Sequence, residues 1–113
     1  MVKVSLREFE TLLLLAIGEL GSDAYGLAIH ERLETLTGRS IALGQIYTSL
    51  ARLEQHKLVV GTEDTTSAGR GGRPRKFYRV EPRALPILRT AAESYANLAR
   101  AITSTLPRLE SGR

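Results

Sequence analysis

Apolar residues recur at helical spacing from the start of the chain. Leu6, Phe9, Leu13, Ala16, Ile17 and Leu20 share one face of residues 6–20, and Ser5 with Glu8 has the S-x-x-E form of a capping box. A first helix is predicted there, closed by Gly21. Ser22 and Asp23 then stand ready to cap a second helix over 24–37, with Tyr25, Ala28, Ile29, Leu33 and Leu36 turned inward and Gly38 after it. "RSIAL" (39–43) is β-branched but brief, and predicts at most a short strand beside another sheet element. A third helix is expected from about Gly44 to His56, with Leu43, Ile46, Leu50 and Leu53 on its apolar face. At about 100° per residue, its opposite face carries Gln45, Thr48, Ser49, Arg52 and His56, and Glu54 falls to the side. That outer face contains no acid, whereas an ordinary solvated face mixes Glu with Lys.

The pattern then changes period. "LVVGTED" (58–64) and "RPRKFYRV" (73–80) read as two strands joined by a long Gly-rich tip, with Pro74 suited to an edge position. A last helix is expected from about Arg83 to Thr105, with Pro82 at its start, Pro86 in its first turn and Pro107 ending it. Leu85, Leu88, Ala92, Tyr95, Ala99, Ile102 and Leu106 step by three and four along it, a heptad seam, and Ile87, Ala91, Leu98 and Ala101 form a second stripe. Some twenty residues make a rod about 30 Å long, too much apolar surface for one small domain to cover. One stripe is expected on the first helix and the other on a partner chain; a single broad core-facing surface is the alternative.

Composition adds bounds. A chain of 113 residues with 42% hydrophobic residues fits one domain. The absence of cysteine excludes disulfides and Cys-based zinc sites, and suits a reducing cytoplasm. The run Leu12–Ile17 is flanked by glutamates and too short to span a bilayer, so no membrane role is expected. Formal net charge is +4, yet Arg70, Arg73, Arg75, Lys76, Arg79 and Arg83 are opposed only by Glu81 within their segment. The positive excess is therefore focused on the hairpin, the footprint of a polyanion partner.

Enzymatic readings find no support. Gly69, Gly71 and Gly72 lack the spacing of a nucleotide-binding loop and precede a strand rather than a helix. His30 and His56 form no ligand cluster, and no nucleophile elbow is recognisable, so no catalytic residue, metal or cofactor is expected. The order helix, helix, short strand, helix, strand, basic loop, strand is that of a winged helix-turn-helix. The fold class is thus mostly α with a small β-hairpin, occupying residues 1–82, followed by a long helix over 83–107 and a tail at 108–113.

In that arrangement the third helix enters the major groove of double-stranded DNA, where Gln45 suits adenine and Arg52 suits guanine or phosphate. Gly44 lets backbone N–H groups approach a phosphate. Arg70, Arg73, Arg75 and Lys76 suit the flanking backbone or minor groove. Tyr25 is a further phosphate candidate. Two alternatives stay open: a winged helix that binds protein rather than DNA, and a ligand sensor without sequence-specific DNA binding.

"GQIYTSLARLEQHKLV" (44–59) followed by "GRPRKFYRVEP" (72–82), with "AYG" (24–26) opening the second helix, resembles the PadR family of bacterial winged-helix transcriptional regulators. The likeness extends over essentially the whole chain, and the short single C-terminal helix is similar to the subgroup lacking a larger C-terminal domain. It implies a homodimer joined through Leu85, Leu88, Ala92, Tyr95, Ala99, Ile102 and Leu106, repressing its target genes until a small hydrophobic or planar effector binds. It also implies Gln45, Tyr47, Thr48, Ser49 and Arg52 as recognition-helix residues, and Arg73, Arg75 and Lys76 as wing contacts. Tyr47 sits at the edge of the apolar face, where a structural ring and a phosphate-facing hydroxyl are equally open readings. The chain departs from the family pattern at Gln45 and Thr48, where Thr and Pro are frequent, and in lacking a tryptophan on the dimer helix. Lys57 stands where Gly commonly ends the recognition helix, and a left-handed backbone there would cost about 1 kcal/mol.

Overall fold

The computed structural model describes residues 7–64 and 75–112. These form α1 (Glu8–Leu20), α2 (Gly26–Thr37), α3 (Leu43–Gln55), β1 (Val59–Asp64), β2 (Arg75–Val80) and α4 (Ala84–Glu110), with a 3-10 turn at Gly21–Asp23. The architecture is mostly helical with one small antiparallel hairpin, as its periodicity predicts.

Helix α1 begins later than the apolar spacing suggests. Its N-terminus is closed by Glu10, whose carboxylate accepts the Arg7 N–H at 3.0 Å, while the expected cap Ser5 lies outside the described residues. Gly21 ends the helix at φ 59°, ψ −123°, a conformation open to glycine because it lacks Cβ.

The entry to α2 corrects the sequence reading. Ser22 and Asp23 lie in the 3-10 turn, and Tyr25 occupies the N-cap position without a side-chain cap. The cause is a sheet contact. The Tyr78 N–H donates to the Ala24 carbonyl at 2.8 Å and Tyr25 bridges antiparallel to Phe77, so the chain turns at Ala24 and is extended at Tyr25 before the helix starts at Gly26. Ala24–Tyr25 thereby takes the place beside the hairpin that "RSIAL" was expected to fill. Residues 39–42 form no strand. Ile41 is instead buried, its N–H donating to Glu34 Oε2 at 2.8 Å and its carbonyl 2.7 Å from His30 Nε2. Two α2 side chains thus pin the turn that leads into α3.

The hairpin runs in register from Val59 opposite Val80 to Asp64 opposite Arg75. Side-chain alternation puts Val59 and Tyr78 into the core. There they join Leu13, Leu14 and Ile17 of α1, Ile29 and Leu33 of α2, and Ile46, Leu50 and Leu53 of α3. Each such aliphatic side chain contributes roughly 1.5–3 kcal/mol relative to exposure.

Helix α3 ends in a Schellman motif. The Leu58 N–H donates to the Leu53 carbonyl at 2.9 Å and the Lys57 N–H to the Glu54 carbonyl at 3.0 Å. Lys57 takes φ 61°, the left-handed value that its glycine-like position requires.

Helix α4 departs furthest from expectation. Pro107 does not end it: the helix continues to Glu110, and the Pro107 carbonyl accepts the Ser111 N–H at 3.1 Å. Nor does one stripe pack along α1. Ala84 is buried, Ile87, Leu88 and Ala91 are half-buried, and every later described residue of the helix is exposed. With 27 residues, α4 is about 40 Å long and projects from the domain, giving the molecule a longest extent of 64 Å.

Candidate nucleic-acid interface

The outward face of α3 is rotated from the one its spacing suggests. Gly44, Gln45, Tyr47, Thr48, Ala51 and Gln55 are exposed, whereas Ser49, Arg52 and His56 lie half-buried on the flank. Ala51 and Gln55 therefore belong to the face although the expected set did not include them. Steps of four, three and four from Gly44 through Thr48 and Ala51 to Gln55 carry the signal that would have found them. The side chains of Gln45, Thr48 and Gln55 have no hydrogen-bond partner within the described residues. Their amide and hydroxyl groups are free for an outside partner.

Each charged flank of this face is held by one ion pair, with both basic side chains still 41% exposed. Arg52 Nε donates to Glu10 Oε2 at 2.5 Å, and Glu10 is only 4% exposed. On the other side Lys76 Nζ donates to Glu54 Oε1 at 3.0 Å, which holds the ammonium above the ordinary lysine range. The lysine stem crosses β1 at Gly61, where an added Cβ would collide with Lys76 Cε. A bare backbone at Gly61 therefore lets the base of the wing strap onto α3.

Several of the expected site residues converge on the N-terminus of α2. The Arg75 guanidinium lies 4.4 Å from the centre of the Tyr25 ring, and Phe77 meets the same ring edge-on at 5.6 Å and 63°. Tyr47 reaches across from α3: a Cβ at Gly26 would stand 2.7 Å from its Cζ. Tyr47 is 46% exposed, with one edge of its ring packed on Gly26. Phe77 faces Tyr25 while Tyr78 is buried, where burial pushes its phenol above the usual tyrosine range. Arg70 and Arg73 lie outside the described residues.

Leu85, Tyr95, Ile102 and Leu106 are large exposed apolar residues of the expected seam; Leu98 and Leu109 add to the same helix, and Leu88 is partly buried at its base. Ala92 and Ala99 are exposed between them. Among the described residues no cluster of His, Asp or Glu is arranged to hold a metal ion, and no helix is long and apolar enough to cross a membrane.

Helices α1 to α3 with their short turns, the β1–β2 wing and the trailing α4 define a winged helix-turn-helix regulator. The model of the transcriptional regulator PadR-like family matches residues 13–83, more than half of the chain, and the protein belongs to that family. Its fold is similar to that of a transcriptional regulator from Clostridium thermocellum (TM-score 0.70, 21% identity, covering 84% of this chain and 86% of that one). It is also similar to PadR family regulators from Eggerthella lenta DSM 2243 (0.67, 26%, 88% and 86%) and Clostridium difficile R20291 (0.65, 20%, 87% and 98%). No curated protein sequence matches the chain.

Proposed function

We propose that the protein is a dimeric, sequence-specific DNA-binding repressor. The observation that carries this reading is the exposed α3 face, where Gln45, Thr48 and Gln55 offer unpartnered hydrogen-bonding groups beside a basic wing. Such a face suits the base edges of the major groove, with Gln45 matched to adenine. The open N-terminus of α3 at Gly44, and Tyr25, Tyr47 and Arg75 around the N-terminus of α2, suit backbone phosphates. Ser49, half-buried on the flank, suits sugar or phosphate at the groove edge. Arg70, Arg73 and Lys76 would extend the contact along the flanking strand, supplying affinity that falls with salt.

A second copy covering the bare stripe of α4 would set two recognition helices on one face of the duplex. Their half-sites would then lie about 34–36 Å, or one helical turn, apart. A small planar or hydrophobic effector would reach the same seam, where Tyr95 is the aromatic residue.

A gel-shift titration with DNA from upstream of the protein's own gene tests the reading. A specific, salt-sensitive complex at nanomolar to micromolar protein is expected, and its absence sinks the proposal. Arg73→Ala with Arg75→Ala should weaken binding to all sequences and flatten the salt dependence, whereas Gln45→Ala should change site preference.

A further inference from the structure

We propose that Glu10 is a positioning residue for DNA reading: it fixes α3 against α1 through Arg52 and withholds the only cation of α3 from DNA. This rests on the DNA-binding reading above. Glu10 sits in the first turn of α1, yet both of its carboxylate oxygens are used. Oε1 accepts the Arg7 N–H at 3.0 Å and Oε2 accepts Arg52 Nε at 2.5 Å. A carboxylate buried to this degree is strongly unfavourable unless it is paired and hydrogen-bonded. Moving Arg52 Nε away toward a phosphate or a guanine would leave Glu10 without that partner.

The geometry adds what packing alone lacks. Apolar burial between α1 and α3 is non-directional and tolerates sliding or rotation of one helix on the other. A charge-assisted hydrogen bond does not, because it weakens steeply with misalignment. The pair thus sets the rotation of α3 that turns Gln45, Thr48 and Gln55 outward. It also leaves the outward face uncharged. Attraction to DNA then resides in the wing and discrimination in α3, so wrong sequences are not held by a recognition-helix cation.

The test uses the full chain with an operator fragment and a scrambled duplex of equal length, at several salt concentrations. Glu10→Gln and Arg52→Gln should each lower the operator-to-scrambled affinity ratio roughly tenfold, and the double variant should lose no more than the worse single one. Scrambled-duplex affinity and salt slope should not change, which separates positioning from loss of folded protein. Arg52→Lys, which keeps a charge for Glu10, should recover most of the ratio and keeps the test decisive where the glutamine variants fold poorly. If Arg52→Gln weakens both duplexes and lowers the salt slope by about one, Arg52 contacts DNA and the proposal is overturned. The same holds if Arg52→Gln relaxes one operator position while Glu10→Gln behaves as wild type. A wild-type protein that fails to distinguish the two duplexes overturns the DNA-binding reading itself.

Discussion

Helices α3 and α4 are equally amphipathic, yet one buries nearly all of its apolar face and the other leaves most of it bare. Ile46, Leu50 and Leu53 of α3 are within 1% of full burial, whereas Leu98 and Ile102 of α4 are half exposed or more. The difference lies in length and in what each helix follows. Thirteen residues of α3 fit within the span of α1 and α2, and the pinned turn at Ile41 delivers them there. Twenty-seven residues of α4 outrun the domain after two turns. Amphipathic spacing states that a face will be covered; it does not state by which chain.

Truncation separates the two helices most sharply. Leu50→Ala should destabilise the domain by about 2–5 kcal/mol through the cavity it leaves, seen as a large fall in urea midpoint. Paired substitution of Leu98→Asp and Ile102→Asp should leave the urea midpoint of the isolated chain close to wild type. It should nevertheless abolish self-association in sedimentation experiments and weaken operator binding by roughly a hundredfold, since each lost side chain forfeits about 1.5–3 kcal/mol of burial. If the aspartate pair instead unfolds the monomer, α4 packs on its own domain and the contrast between the helices disappears.

A smaller effect probes the charged edge of α3. If the protein binds DNA as proposed, Lys76 is shared between Glu54 and a phosphate beside the wing. Removing the competing charge with Glu54→Gln should raise DNA affinity roughly threefold, the scale of a half-exposed ion pair, and steepen the salt dependence by about 0.9. Unchanged affinity and slope would mean that Lys76 never leaves Glu54 and that the wing acts through its tip alone. The raised lysine pKa has a definite sign: the lysine's contribution to the pair is present at neutral pH and is lost as pH climbs through the alkaline range.

Periodicity in the sequence located every helix and both strands, because each core position repeats at a spacing that only one element satisfies. The winged arrangement and the family likeness of "GQIYTSLARLEQHKLV" and "GRPRKFYRVEP" were equally readable. What escaped were contacts between residues far apart in the chain. Glu10 and Arg52 are 42 positions apart, and nothing local to either marks the pair. The same holds for Ala24 and Tyr78, whose hydrogen bond moves the start of α2 and replaces the strand expected at 39–43. The rotation of the α3 face follows from such contacts, since Arg52 was free in the sequence and is anchored in the fold. Pro107 shows the opposite error, a local rule applied too strictly: one missing N–H near the end of a long exposed helix does not stop it.

The ends of the two helices sharpen the comparison one last time. After α4 the left-handed residue is Gly112 at φ 77°, whereas after α3 the same conformation is imposed on Lys57 at φ 61°. A residue with a Cβ in this region costs roughly 1–2 kcal/mol, while glycine adds about 0.5–1 kcal/mol of disorder to the unfolded chain. Lys57→Gly should therefore stabilise the protein by a net of about 0.5 kcal/mol, raising Tm by roughly 2–4 °C. Operator affinity and salt slope should remain those of the parent if Lys57 serves only to turn the chain from α3 into β1. The Schellman bonds from Leu58 and Lys57 to α3 would persist in the glycine variant, so a fall in Tm would show that the lysine stem, and not its backbone, holds this end of α3.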